Sequence, residues 1–344
     1  WAAVGAGCSG GGRMIERELT ERVSLTLPNG RLNRDAVGWA RQPLVNTAAI
    51  GRGWGRNKRW EYWNITTPTH LIGLTVSSID YAAVHDVWIF DRTTGAEVHR
   101  GETLLPSRGV TLPASLEGGP VRATTRHLSI EIDEVPGGTR LLAAIPGANF
   151  EIVAARSASH ERLAVVVPWS DRRFQYTVKD VARPASGRLV VGGREYEIPE
   201  GESWAVLDHG RGRWPYDVRW NWGAGSGVSS GRTIGLQVGG KWTDGTGSTE
   251  NSILIDGRLH KISAELQWVY DLTRWQEPWK VTGGGLNAVL EPFHNKQSRT
   301  NLGVVSSRTD QCFGFWSGEF TDGGGTVTAF DGILGFAEDV HNRW

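Results

Sequence analysis

Strand-length segments that alternate apolar and polar residues recur along nearly the whole chain, and they constrain the fold more than any other feature. Residues 124–134 read Thr-Thr-Arg-His-Leu-Ser-Ile-Glu-Ile-Asp-Glu, which puts Leu128, Ile130 and Ile132 on one face of a strand. Pro136-Gly137-Gly138 turns that segment, and residues 139–145 return. Residues 69–77 and 84–90 read as a hairpin, as do 150–156 with 162–167, and 188–191 with 195–198 around Gly192-Gly193. Further strands are expected at 203–207, 233–238, 252–255, 259–268, 286–291, 301–308, 312–319 and 327–334. The best helix candidate is 34–40, with Asn33 as its N-cap, and helices are otherwise few and short.

On the order of sixteen strands with glycine-rich turns are too many for one small barrel. The expected fold is therefore all-β, with two antiparallel β-barrel halves in tandem. The least repetitive join lies at Glu200-Gly201, which divides the chain into 14–200 and 201–344. Residues 1–13 precede the single Met14 and read as an upstream extension or an expression scar. That stretch holds two motif look-alikes, Gly5-x-Gly7-x-x-Gly10 and Gly7-x-Ser9-x-Gly11. Neither has the strand and helix that a dinucleotide loop or a nucleophile elbow requires.

Charge excludes whole classes of function. Thirty-seven basic side chains balance thirty-seven acidic ones in 344 residues, without the surplus expected of a general nucleic-acid binder. No apolar run approaches the length of a membrane helix and no signal-peptide core appears, so a cytoplasmic protein without an integral membrane segment is expected. Two cysteines make no disulfide framework. The nine histidines show no metal-binding spacing, so neither a metal nor another cofactor is expected.

The chain carries 17 Trp against 6 Tyr and 9 Phe, and many of the indoles fall in three clusters beside ionisable residues. In residues 54–63, Arg59, Glu61 and Trp63 share one strand face, while Lys58, Trp60 and Tyr62 share the other. In residues 207–222, an Asp208-His209 pair sits in what reads as a glycine-flanked turn, close to Arg211, Trp214, Tyr216, Trp220 and Trp222. The third cluster holds Trp242, Glu250, Asn251, Trp268 and Tyr270. Histidine exchanges a proton near neutrality and apolar surroundings raise a carboxyl pKa. Glu61, Asp80, Asp208 and His209 are therefore the candidate acid–base groups. The candidate ligand-binding side chains are Trp60, Trp63, Tyr81, Arg211, Trp214, Tyr216, Trp220, Trp222, Trp242, Asn251, Trp268 and Tyr270. The alternatives are an edge strand whose Trp covers the barrel mouth for the first cluster, hydrogen bonds that anchor the connection between the domains for the second, and plain core filling for the third.

The segments Trp54-Gly55-Arg56-Asn57-Lys58-Arg59-Trp60-Glu61-Tyr62-Trp63, Ser77-Ser78-Ile79-Asp80-Tyr81 and Asp208-His209-Gly210-Arg211-Gly212, with Trp214-Pro215-Tyr216 and Trp220-Asn221-Trp222-Gly223, resemble the domain-of-unknown-function 2804 family from about Met14 to Trp344. More distantly, the stretch from Gly187 to His209 is similar to the region before the second barrel in AttH-like sequences. Those belong to the tandem lipocalin-like (calycin) proteins, a group with carotenoid hydratases, ceramide-binding survival-factor proteins and lipocalin-type Diels–Alderases. Gly210-Arg211-Gly212 stands where that pattern has a Trp-Gly, a departure at the site itself. The resemblance implies two calycin halves holding an apolar ligand in a barrel or between barrels.

Three functions are compatible with these residues. The first is binding of a hydrophobic small molecule, lipid or isoprenoid-like, in a Trp-lined pocket. The second is a cofactor-independent hydratase, isomerase or Diels–Alderase-type cyclase acting on such a ligand, with the acid–base groups above and a wall of indoles. The third is a structural or interaction module.

Overall fold

The alternating segments pair into two large antiparallel sheets in a computed structural model that describes residues 16–50, 53–301 and 305–343. Fourteen strands form the first sheet. Its path runs from Glu97–Leu104 through Ala83–Asp91, His70–Ser78, Asn57–Thr66, Trp204–Arg213 and Phe174–Val191 to Ala148–Ala155, and on to Val110–Thr111. Nine strands form the second, centred on Asp217–Ser229, Val327–Arg343 and Ser306–Thr321. Each sheet curls around its own apolar core, one containing Ile65, Leu74, Ile130 and Leu141, the other Leu236, Ile253, Trp279 and Trp316. The fold is thus all-β, two half-barrels in tandem. The motif look-alikes at residues 5–11 and the 1–13 extension lie outside the described residues.

A third apolar cluster lies in the seam between the sheets and includes Trp39, Trp88, Trp204, Trp214, Trp222, Trp242, Phe313 and Phe336. Both faces of the strands at the seam are therefore covered, and all ten residues of Trp204–Arg213 are buried. A strand buried on both sides need not alternate in polarity. That is why residues 208–213 read as a glycine-flanked turn, whereas Asp208 and His209 lie mid-strand, paired with Tyr62 and Glu61 of Asn57–Thr66. The sheets change over at 214–216, one strand beyond the Glu200-Gly201 join.

The long strand Phe174–Val191 ties the halves together. Its register breaks between Asp180 and Arg183, and Ala182 there adopts a φ of 56°. The bulge turns the Ala182 N–H toward the second sheet, where it donates to Ser226 Oγ at 2.9 Å. This strand also pairs with Leu163–Pro168 and with Ala148–Ala155, so the expected hairpin of 150–156 with 162–167 does not form. The helix expected at 34–40 is only the 3-10 turn Arg34–Ala36, capped by the Asn33 side chain. Gly38, with φ at 155°, leads instead into the strand Trp39–Ala40. The expected strand 124–134 is interrupted, ending at Thr124 and restarting at Ser129.

Glycine makes room for indole at the seam. Gly210 faces Trp60 across the strand pair, and a Cβ at Gly210 would lie 2.2 Å from the Trp60 ring. Gly210→Ala must displace that ring, so we expect a loss of about 1–3 kcal/mol of stability. Urea unfolding followed by tryptophan fluorescence checks this.

Candidate functional site

Strand alternation sorts the sequence-predicted residues onto two faces. From Asn57–Thr66, Glu61 and Trp63 point into the first half-barrel, and Trp60 and Tyr62 point into the seam. From Trp204–Arg213, His209 and Arg211 share the half-barrel face with Glu61, and Asp208 faces the seam. Glu61 and His209 are thus brought together, 3.5 Å apart between Oε1 and Nδ1, while Asp208 is separated from both.

The seam side holds the densest ionisable arrangement. Lys179 Nζ lies 3.0 Å from Asp208 Oδ1, 3.3 Å from Glu250 Oε2 and 4.0 Å from the centroid of the Trp222 ring. Each surrounding carboxylate also accepts an indole N–H. Trp60 donates to Asp208 at 3.1 Å, Trp242 to Glu250 at 2.6 Å and Trp220 to Glu338 at 2.9 Å. Thr177 donates to Asp208 at 3.0 Å, and Gln311 to Glu338 at 3.1 Å. Trp214 occupies the middle, edge-on to Trp60 and Trp220 and stacked on Trp242 at 5.8 Å, with its N–H on Gln175 Oε1.

Electrostatics follow from that geometry. Burial alone would lower Lys179, but Asp208 and Glu250 hold it above the usual lysine value. Burial pushes Glu250 up, with Asp208 adding to the rise and Lys179 opposing it. Burial also raises Glu338 to about 7, against the Trp220 hydrogen bond and Lys179. Glu338 therefore exchanges its proton near neutrality inside an aromatic wall. Asp208 keeps 12% of its side-chain surface, whereas Glu338 is buried. The indoles of Trp60, Trp169 and Trp220 at the rim are only partly buried.

On the half-barrel face, Glu61, His209 and Arg211 are buried. The nitrogens of His209 and His85, Arg211 Nε and Nη2, and Trp63 Nε1 have no hydrogen-bond partner. Burial lowers Arg211 to about 10, with Arg59 adding to the fall, and lowers His85 to about 4.

The remaining predicted residues lie elsewhere. Asp80, with φ at 67°, accepts the backbone N–H groups of Gly55 at 2.6 Å and Asn57 at 3.1 Å, which pins the loop before Asn57–Thr66. The Tyr81 ring lies 5.3 Å from Lys58 Nζ, and Tyr216 is 43% exposed. Asn251 ties its strand to Gly239 N and Ala264 O. Tyr270 stacks on Trp279 at 4.0 Å and its hydroxyl meets Asp339, Asn221 and Lys241, with Trp268 beside the same Trp279. No group of three or more metal-ligating side chains occurs among the described residues.

Sequence reasoning missed Lys179, Glu338, Gln311 and Trp169. The available signal was a pair of adjacent charges inside an apolar segment, Val178-Lys179-Asp180-Val181 and Phe336-Ala337-Glu338-Asp339-Val340, which in a strand face opposite ways and so each demand a partner.

Two curled antiparallel sheets packed face to face on a tryptophan seam define a tandem lipocalin-like protein. The chain belongs to the DUF2804 family, a domain of unknown function, whose profile matches residues 16–344. No curated protein matches it in sequence. Its fold is similar to kievitone hydratase from Nectria haematococca, at 11% identity and a TM-score of 0.51, over 87% of this chain and 95% of that one. CghA with Sch210972 aligns at 11% identity and a TM-score of 0.47, over 87% and 89% of the two chains. An AttH-type protein from Nitrosomonas europaea aligns at 11% identity and 0.47, over 83% and 92%. At these identities the likeness is one of fold.

Lys179 pairs with Asp208 and Glu250 at the centre of the seam, and Glu338 acts on it as well. Removing it leaves buried carboxylates without a counter-charge, so Lys179→Met should cost about 3–5 kcal/mol. The check is the urea midpoint at unchanged slope.

Proposed function

We propose that the protein binds a largely apolar small molecule at the seam between its half-barrels and transfers a proton to it without a cofactor. The observation that carries this reading is Glu338, a carboxyl held near 7 inside an indole wall, close to Asp208, whose side chain keeps 12% of its surface. Alkene hydration needs an acid to protonate carbon and a base to take a proton from the attacking water. Glu338 is suited to the first role. Asp208, fixed by Trp60, Thr177 and Lys179, is suited to the second. The faces of Trp214, Trp220 and Trp222 offer cation–π stabilisation to positive charge developing on carbon. Kievitone hydratase, the fold neighbour named above, is a hydratase by name, which is consistent with this class of chemistry. A second reading, a carrier without chemistry, is favoured by the full hydrogen bonding of the three indole N–H groups.

A pair of measurements tests both. The neutral probe N-phenyl-1-naphthylamine should quench tryptophan fluorescence saturably in the wild type and in Glu338→Gln. A panel of unsaturated apolar compounds incubated in 18O-labelled water should yield a labelled adduct with the wild type. Glu338→Gln should slow that addition by about 100-fold or more. Since the acid must be protonated, the rate should fall about tenfold per pH unit above about 7. Binding without any adduct favours the carrier, and no binding overturns both readings.

A further inference from the structure

A cavity of about 630 Å³ opens where two of the tryptophan-rich sequence segments meet. Arg31, Arg56, Arg172, Arg173 and Arg213 line it together with Trp54, and none of its lining residues is acidic. In a chain whose total charge is zero, five guanidinium groups around one cavity are a strong local asymmetry. Arg213 forms the floor. It is 6% exposed and held by neutral acceptors, with Nη1 donating to Gly30 O at 2.5 Å, Nε to Asn57 Oδ1 at 3.2 Å and Nη2 to Ile50 O at 3.3 Å. Gly53 approaches so closely that a Cβ there would lie 3.0 Å from Arg213 Nε, so the backbone folds onto the guanidinium.

The nearby carboxylates are committed to other partners. Asp80 accepts the backbone N–H groups of Gly55 and Asn57, and Asp171 pairs with Arg34 at 2.5 Å. Burial and the neighbouring arginines lower both Arg173 and Arg213, with Asp80 opposing the fall at Arg213. Five arginines around a cavity whose described lining carries no carboxylate make a site for a multiply charged oxyanion, which guanidinium groups bind in bidentate geometry. Trp54, 75% exposed at the rim, presents an indole to whatever carries the anion.

We propose that this cavity binds a small organic molecule through a phosphate group, with the phosphate among the arginines and the organic part against Trp54. The inference is independent of the seam, because none of the lining residues belongs to the Lys179 network.

Calorimetry of the full chain with phenyl phosphate and with orthophosphate, at ionic strength fixed by potassium chloride, tests it. Phenyl phosphate should bind saturably and at least about fivefold tighter than orthophosphate, and Trp54→Ala should remove that difference. Arg213 also supports the loops, so the informative variant is Arg172→Glu with Arg173→Glu, at two positions nearer the surface. It should weaken phenyl phosphate at least about tenfold, while Arg188→Glu, outside the cavity, leaves binding unchanged. Absence of saturable binding, or wild-type affinity in the double reversal, overturns the site. Equal affinity for the two anions overturns the organic half of the proposal.

Discussion

One lysine among three carboxylates, with an indole N–H on each carboxylate, is the interaction on which the rest of the structure depends. Lys179 and Asp208 come from the first sheet, and Glu250 and Glu338 belong to the second half. The ion cluster therefore joins the half-barrels at the point where their apolar faces also meet. Buried charges are costly unless fully paired, and here each tryptophan supplies one fixed donor while its ring excludes water. Trp60, Trp220 and Trp242 are thus required by the cluster, while others such as Trp279 and Trp316 fill the second core.

Small residues set the geometry around it. Gly210 lets Trp60 lie flat across its neighbour strand, and at Gly239 a Cβ would lie 2.1 Å from Glu250 Oε1. The bulge at Asp180–Arg183 offers its Ala182 N–H to Ser226 and packs against Gly235. The two faces of Asn57–Thr66 and Trp204–Arg213 then serve different surroundings, the seam on one side and the Glu61–His209 pair with its unpaired donors on the other.

The all-β class and the tandem halves were legible in the sequence because most strands have one solvent face and so alternate. Strands with both faces buried and glycine in their sequence were not. Residues 208–213 look like a glycine-rich turn, and in Asp217–Ser229 the glycines at 223, 225 and 227 give the composition of a loop although they alternate. The site was legible in part for a related reason. Trp60, Asp208, Trp214, Trp220, Trp222 and Trp242 stand out as clustered indoles and charges. Lys179 and Glu338 each stand beside another charge in an otherwise apolar strand, their partners lie more than twenty residues away in sequence, and only tertiary packing joins them. Once Trp204–Arg213 is a strand, Asp208 and His209 face opposite ways, because neighbouring residues on a strand do. Alternation could not show that Asp80 serves a loop, since that depends on backbone N–H groups.

The central claim is that the indole-walled seam holds an apolar small molecule. Native mass spectrometry of freshly purified protein tests it most directly. The predicted result is a species heavier than the polypeptide by a few hundred daltons, the size such pockets accommodate, with the added mass released on denaturation in organic solvent and reduced by Trp220→Ala. A spectrum showing only the bare polypeptide, both as purified and after incubation with N-phenyl-1-naphthylamine, contradicts it.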